Sequence, residues 1–170
     1  MHHLFTSYLS LGSNLDNKLE NLQRAVNAIH DTIGNVISIS KIYSTPAWGF
    51  DGNEFYNICI KIGTILEPET LLKALLGIEK ALGRKEKLTS SYENRCIDID
   101  IILYEQLIIQ TKYLKIPHPR ALDRKFVLSP LFDIYNEKVT PFNHLSLKEN
   151  LSQCNDKSKI TTIEKHIQKP

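Results

Sequence analysis

Asp98 and Asp100 stand one residue apart inside the run Cys96-Ile97-Asp98-Ile99-Asp100-Ile101-Ile102. On an extended strand alternate side chains share a face. Ile97, Ile99 and Ile101 then turn toward a core, and both acids turn the other way together. Neighbouring carboxylates repel unless a cation lies between them, and magnesium takes hard oxygen ligands together with phosphate oxygens. The pair is a candidate metal site. A solvated strand with an acidic outer face satisfies the same pattern, because D-x-D is short and recurs by chance.

Cations flank the pair on both sides. Arg84, Lys85 and Lys87 precede it, Arg95 adjoins it, and His118, Arg120, Arg124 and Lys125 follow. Guanidinium groups grip phosphate oxygens in pairs and lysines neutralise charge. For Lys85, Lys112 and Lys125 a solvated loop position is the plainer reading. Arginines close to paired acids are what a triphosphate with its metal requires. The common nucleotide fingerprints are missing: there is neither G-x-x-x-x-G-K-S/T nor G-x-G-x-x-G. Gly12-Ser13-Asn14 has one glycine and reads as a turn that caps the following helix. Aromatic and amide groups make a third set. Thr45-Pro46-Ala47-Trp48-Gly49 holds the only tryptophan, Phe55-Tyr56-Asn57 follows, and Phe126 lies just after Arg124. A flat heterocycle stacks on such rings while Asn57 reads its edge, although core packing is the default for Phe55 and Phe126 taken singly.

The elements that must position these groups follow from periodicity. Residues 8–11 alternate and end in turn formers, predicting a strand and a loop. Asp16 is the expected N-cap of a helix carrying Leu19, Leu22, Ala25, Val26 and Ile29 to Gly34. Residues 36–43 and 55–65 read as strands, separated by a polar loop, 44–54. Glu67-Pro68-Glu69 opens a second helix that runs to Gly83. A polar loop, 84–94, leads to a strand at 96–104, a hairpin partner at 107–110 and a short helix at 127–135. Both polar loops are expected to close over bound substrates. The order β-α-β-β-α-β predicts an α+β, ferredoxin-like sandwich, with two helices on one face of an antiparallel sheet, extra short strands and a C-terminal helix at 160–167. Residues 1–147 read as one domain and 148–170 as a polar tail packed loosely on it.

With 170 residues, ordinary hydrophobicity and a formal charge of +2, the chain is one globular domain that does not bind nucleic acid by bulk charge. Cys59, Cys96 and Cys154 show no paired spacing, which argues against disulfide and zinc frameworks. No segment has the length of a membrane span and the first residues lack a secretory leader, so a cytoplasmic, reducing compartment and a monomer are expected.

The ordered motifs resemble the 6-hydroxymethyl-7,8-dihydropterin pyrophosphokinase family of folate synthesis. They are Leu9-Ser10-Leu11-Gly12-Ser13-Asn14-Leu15, Tyr43-Ser44-Thr45-Pro46, Phe55-Tyr56-Asn57, Glu79 with Gly83-Arg84, and Arg95-Cys96-Ile97-Asp98-Ile99-Asp100-Ile101. Pro117-His118-Pro119-Arg120 and Arg124-Lys125-Phe126-Val127-Leu128-Ser129-Pro130-Leu131 complete the set. The resemblance implies a ferredoxin-like transferase that moves diphosphate from ATP to the pterin hydroxymethyl group and releases AMP. It implies two magnesium ions on Asp98 and Asp100, and ATP met by residues matching Glu79, Arg84, Arg95, Ile101, Lys115, His118, Arg124 and, in the loop, Tyr92. The catalytic set so implied is Arg84, Arg95, Asp98 and Asp100. The pterin is implied to lie between Phe55 and Phe126, with its edge on Asn57 and on the stretch holding Thr45, Pro46 and Trp48. The chain departs from some members at Glu86, where a second arginine is usual, at Tyr92 for a loop tryptophan, and at Pro119 for a tyrosine. Lys87 is the cation that can compensate for Glu86.

Two other classes compete. A metal-dependent glycosyl- or nucleotidyltransferase uses the same D-x-D pair, but 170 residues leave little room for its second substrate. An RNA-recognition domain shares the element order, yet it needs aromatic residues where Asp98 and Asp100 stand, and acids repel RNA.

Overall fold

The protein is described by a computed structural model that covers residues 4–84 and 93–170. Its centre is β1 (Phe5–Ser13), buried from Ser7 to Ser13 because both of its faces are covered. β1 pairs antiparallel with β4 (Phe55–Thr64) on one side and with β5 (Asp98–Tyr104) on the other. Along the far edge of β4 lie β2 (Gly34–Ile39) and β3 (Ile42–Thr45), end to end. The helices α1 (Lys18–Thr32) and α2 (Pro68–Ala81) cover one face and bury Leu22, Ala25, Val26, Ile29, Leu71 and Leu75 against Leu9, Leu11, Ile58 and Ile60. Alternation sends Tyr8 and Cys59 to the opposite face, where α3 (Lys125–Ile134) and α4 (Leu147–Gln153) cover them with Val127, Leu128 and Leu131. The expected α+β, ferredoxin-like arrangement is borne out, with a helical layer on the second face as well.

Several local expectations differ. The helix α1 is capped by Asn17, whose side chain accepts from Glu20 N–H at 3.2 Å; Asp16 sits before it at φ 53°. Gly12 belongs to β1 rather than to a turn. The strand expected over 36–43 is broken, because Lys41 N–H leaves the ladder and donates to Asp133 Oδ2 on α3 at 3.0 Å. Ser40 bridges the gap: its N–H donates to Cys59 O, and its hydroxyl accepts from Cys59 N–H, both at 2.9 Å. The hairpin partner expected for β5 at 107–110 turns away at Glu105 (φ 48°), and β6 (Ile109–Gln110) pairs with β7 (Lys115–Ile116) instead. Among the described residues this leaves one edge of β5 without a partner strand.

The segment expected as a loose tail is tied in. The helix α4 spans the anticipated boundary, and residues 161–163, expected within a helix, form the strand β8 (Thr161–Ile163) on the outer edge of β3. Its β-branched residues suit that open edge better than a helix. Further on, Ile167 is buried in the main core.

Candidate active site

β5 carries the site. Ile97, Ile99 and Ile101 are buried against the α1–α2 side, while Asp98 and Asp100 turn to the other face, as alternation requires. Cross-strand register then sets their neighbours: Asp98 is opposite Gly12, and Gly12 is opposite Asn57 on β4. A Cβ on Gly12 would stand 2.9 Å from Asn57 Oδ1, so a larger residue here would have to displace the Asn57 side chain. One step along, Asp100 is opposite Ser10.

Asp98 divides its oxygens between two arginines. Arg84 Nη1 lies 2.6 Å from Oδ1, and Arg95 Nη1 lies 3.0 Å from Oδ2. Arg84 also contacts the buried carboxylate of Glu79 on α2. The same Glu79 oxygen accepts from Ile99 N–H at 2.6 Å, which fastens α2 to the open edge of β5. Burial pushes the Glu79 carboxyl up to about 7, against the pull of Arg84 and of the Ile99 N–H. Arg95 is set by Asn14, which donates its N–H to Arg95 O at 3.1 Å and accepts Arg95 N–H on Oδ1 at 2.7 Å. Asn14 therefore anchors the strand that follows, a different task from the helix cap expected of it.

Asp100 faces Arg124 Nη1 and His118 Nε2, each at 4.0 Å. Its carboxyl is pushed up to about 6, first by desolvation and then by the Asp98 charge, with Arg124 pulling the other way. His118 is driven down to about 4 by burial and by Arg124 and Arg120, so at neutral pH it is an uncharged imidazole and not an ion-pair partner. Its Nδ1 accepts from Arg120 N–H at 3.2 Å, which leaves Nε2 as the donor toward Asp100.

Two kinds of cavity meet at these acids. On the sheet face an aromatic cleft of about 510 Å³ is lined by Ser10, Gly12, Thr45, Pro46, Asn57, Phe50, Phe55, Trp48, Phe126, Arg124, Arg95 and both aspartates. Trp48 and Phe126 meet edge-on at 6.5 Å, Phe50 and Phe55 at 6.3 Å, and the Arg124 guanidinium lies 5.0 Å from the Trp48 ring. Asn57 Nδ2 donates to Thr45 Oγ1 at 2.8 Å, so its orientation is set. Along the open edge of β5 runs a polar groove. One part, about 880 Å³, has Leu72, Leu76, Glu79, Arg84, Arg95, Arg120 and Arg124; the next, about 680 Å³, has Ile101, Lys112, Tyr113 and Lys115. Asp100 lines all of these spaces, and Asp98 lines the cleft and the first part of the groove.

The structure thus brings together Glu79, Arg84, Arg95, Asp98, Asp100, Ile101, Lys115, His118 and Arg124 in one region, with Thr45, Pro46, Trp48, Phe55, Asn57 and Phe126 beside it. Tyr92, with Lys85, Glu86 and Lys87, lies outside the described residues, as does most of the loop 84–94. Sequence reading missed Ser10, Gly12, Phe50, Leu72 and Leu76 as lining residues. A glycine inside an alternating strand was the one local signal for Gly12.

The described residues contain no group of three or more His, Cys, Asp and Glu side chains able to hold a metal. Two carboxylates on one face are nevertheless a fitting donor set for magnesium, which keeps water and phosphate oxygens as its remaining ligands.

A profile of the family described as 7,8-dihydro-6-hydroxymethylpterin-pyrophosphokinase (HPPK) matches residues 8–136. The chain belongs to that family. Among curated relatives, a 2-amino-4-hydroxy-6-hydroxymethyldihydropteridine pyrophosphokinase of Aquifex aeolicus is 37% identical over 145 residues, 85% of this chain and 89% of its own. A folic acid synthesis protein, fol1, of Pneumocystis carinii is 43% identical over 141 residues, 82% of this chain but 19% of its own, so the chain spans about a fifth of that relative. The wild-type HPPK-DHPS crystal structure of Plasmodium falciparum with SDX-DHP superposes at TM-score 0.75 with 14% identity, over 90% of this chain and 45% of that one. That likeness concerns the fold.

Proposed function

We propose that this chain transfers a diphosphate group from ATP to the hydroxymethyl oxygen of 6-hydroxymethyl-7,8-dihydropterin and releases AMP. The observation that carries the proposal is the junction at Asp98 and Asp100. There a cleft lined by aromatic rings opens onto a groove lined by arginines. A transferase needs its acceptor and its donor to meet in this way, since positioning and charge neutralisation supply most of the rate in phosphoryl-type transfer.

In this reading the pterin ring stacks between Phe55 and Phe126, and Asn57 with the Thr45, Pro46 and Trp48 stretch reads its edge. Leu72 and Ile101 flank the nucleotide, while Lys115, His118, Arg120 and Arg124 meet its phosphates. Arg84 and Arg95 move between Asp98 and the phosphates, and Glu79 holds Arg84 in reach. Asp98 and Asp100 hold magnesium, two ions on the family pattern, and the metal neutralises phosphate charge when bound. The hydroxymethyl oxygen forms a bond to the β-phosphorus as the bond from that phosphorus to the α–β bridging oxygen breaks, so AMP carries that oxygen away. The hydroxyl proton leaves to solvent or to Asp100, and no dedicated general base is assigned. Closure of the loops 44–54 and 84–94 over the substrates belongs to the same proposal, as does a monomeric, cytosolic protein. The free thiols of Cys59, Cys96 and Cys154 suit a reducing compartment, and no described helix is long and apolar enough to cross a membrane.

The test is incubation of the protein with ATP, magnesium and the hydroxymethyl pterin. AMP and the pterin diphosphate are the expected products; ADP, or no turnover, would overturn the proposal. Asp98→Ala and Asp100→Ala are each expected to abolish turnover while keeping a native circular-dichroism spectrum.

A further inference from the structure

The family match ends at residue 136, yet the segment beyond it holds both walls of the aromatic cleft. β8 pairs along the outer edge of β3, with Thr162 opposite Tyr43 and Thr161 opposite Ser44, and β3 runs directly into Thr45, Pro46 and Trp48. A few residues earlier the same segment meets the opposite wall. The helix α3 receives no side-chain cap from its own N-cap residue, Arg124. Instead the N–H of Lys125, the first residue of the helix, donates to Asp156 Oδ2 at 3.0 Å. The other carboxylate oxygen, Oδ1, accepts the Ser158 N–H at 2.9 Å and the Ser158 hydroxyl. A carboxylate fixed by its own turn is thereby held against a helix N-terminus, where unpaired N–H groups and the helix dipole both favour negative charge. Lys125 sits between Arg124 and Phe126, the two residues that α3 contributes to the cleft. The far end of the segment is anchored separately. Gln168 N–H donates to Gln23 Oε1 at 2.7 Å, and Gln23 Nε2 donates to Gln168 O at 2.9 Å.

We infer that Asp156 is a positioning residue for the aromatic subsite: by capping α3 from outside the helix, it sets where Arg124 and Phe126 stand against Trp48. As a statement about pterin binding, this rests on the pyrophosphokinase reading; as a statement about the cleft wall, it does not. Strand β8 plays the matching part on the β3 wall, so one segment sets both sides of the cleft.

Trp48 is the only tryptophan and lies 5.0 Å from the Arg124 guanidinium carbon, so its fluorescence reports this wall without any ligand. The experiment compares Asp156→Ala, Asp156→Asn, Ser158→Ala and Gln23→Ala in the full chain. Asp156→Ala is expected to shift Trp48 emission and raise its quenching by acrylamide. It should also weaken pterin binding by about fivefold, the size of one net hydrogen bond. Asp156→Asn keeps one oxygen for the Lys125 N–H but turns its NH2 toward the Ser158 N–H, so it recovers both readouts only in part. Ser158→Ala leaves the carboxylate present but unfixed and gives a smaller change of the same sign. Gln23→Ala cuts the distant anchor and one exposed bond to Asn27 on the same helix, so it lowers the thermal midpoint and leaves Trp48 and pterin affinity unchanged. Unaltered Trp48 emission in both Asp156→Ala and Ser158→Ala overturns the inference, and so does a Gln23→Ala variant that reproduces their effect. If the wild type binds no pterin while the Trp48 pattern follows the expected order, the ligand assignment fails and the positioning role stands.

Discussion

At the scale of single residues, Glu79 has two tasks that one substitution can separate. Its carboxylate pairs with Arg84 and accepts the Ile99 N–H of β5. Glu79→Gln keeps an acceptor for Ile99 but loses the charge that holds Arg84 once pH rises above the Glu79 value of about 7, so the comparison belongs well above that pH. We expect KM for ATP to rise about tenfold with little change in the denaturation midpoint, about 1.4 kcal/mol of lost nucleotide binding. Glu79→Ala also orphans the Ile99 N–H, and stability should fall by about 1–3 kcal/mol in urea unfolding. Gly12→Ala tests the cross-strand row. Its new Cβ meets Asn57 Oδ1 at 2.9 Å, and Thr45 restrains Asn57 from yielding. Steady-state kinetics should show a KM for the pterin raised about tenfold, while KM for ATP stays near the wild-type value. The aspartates were legible because alternation is a local rule that needs only the residues on either side. The contact of Glu79 with Ile99 and the tightness at Gly12 were not. They depend on which residues of α2 and β5, and of β1 and β4, meet, and those lie far apart in the chain.

At the scale of elements, α3 begins on a carboxylate supplied by a residue 31 positions away in the chain. Burial pushes the Asp156 carboxyl up, but hydrogen bonds from Ser158 and Lys125 outweigh it and hold the group below its ordinary value of 3.8. A carboxyl lowered on folding stabilises the folded state above its unfolded value, and that stabilisation is lost as pH falls through the folded value. Asp156→Ala should therefore unfold at lower urea concentration than the wild type at pH 7, by about 1 kcal/mol. The gap between the two should narrow once pH drops below 3.8. Urea titrations at a series of pH values check both parts. Helices α1 and α2 were readable from their apolar period and flanking signals, and the strands 55–65 and 96–104 were found to within a few residues. The break between β2 and β3 was hidden because its cause, Asp133, belongs to another element. Residues 161–163 were misread because three residues show no helical or strand period. Only the free edge of β3 makes them a strand.

At the scale of the whole molecule, two apolar layers sandwich one sheet, and Cys59 reports on the second of them. Its thiol is fully buried between β4 and α3, and desolvation drives its pKa far above the ordinary value. Alkylation with iodoacetamide at pH 8, read by peptide mass spectrometry, should leave Cys59 unmodified in the native protein and modify it fully in denaturant. Its labelling rate then tracks opening of the α3 side of the sheet.

Ile102 is the extra residue of β5. The pairing with β1 passes from Ile101 opposite Leu9 to Leu103 opposite Tyr8, and Ile102 is skipped. The Ile102 carbonyl accepts the backbone N–H of His118 at 3.0 Å. A strand without that insertion would still turn its aspartates outward, but its outer carbonyls would stand in a different register to the histidine segment beside them. Selection should therefore act on the length of this strand as well as on its acids. Among relatives that keep a histidine equivalent to His118, insertions and deletions between Asp100 and Tyr104 should be rarer than substitutions at Ile102 itself. A family alignment in which that strand varies freely in length while the histidine persists would contradict this.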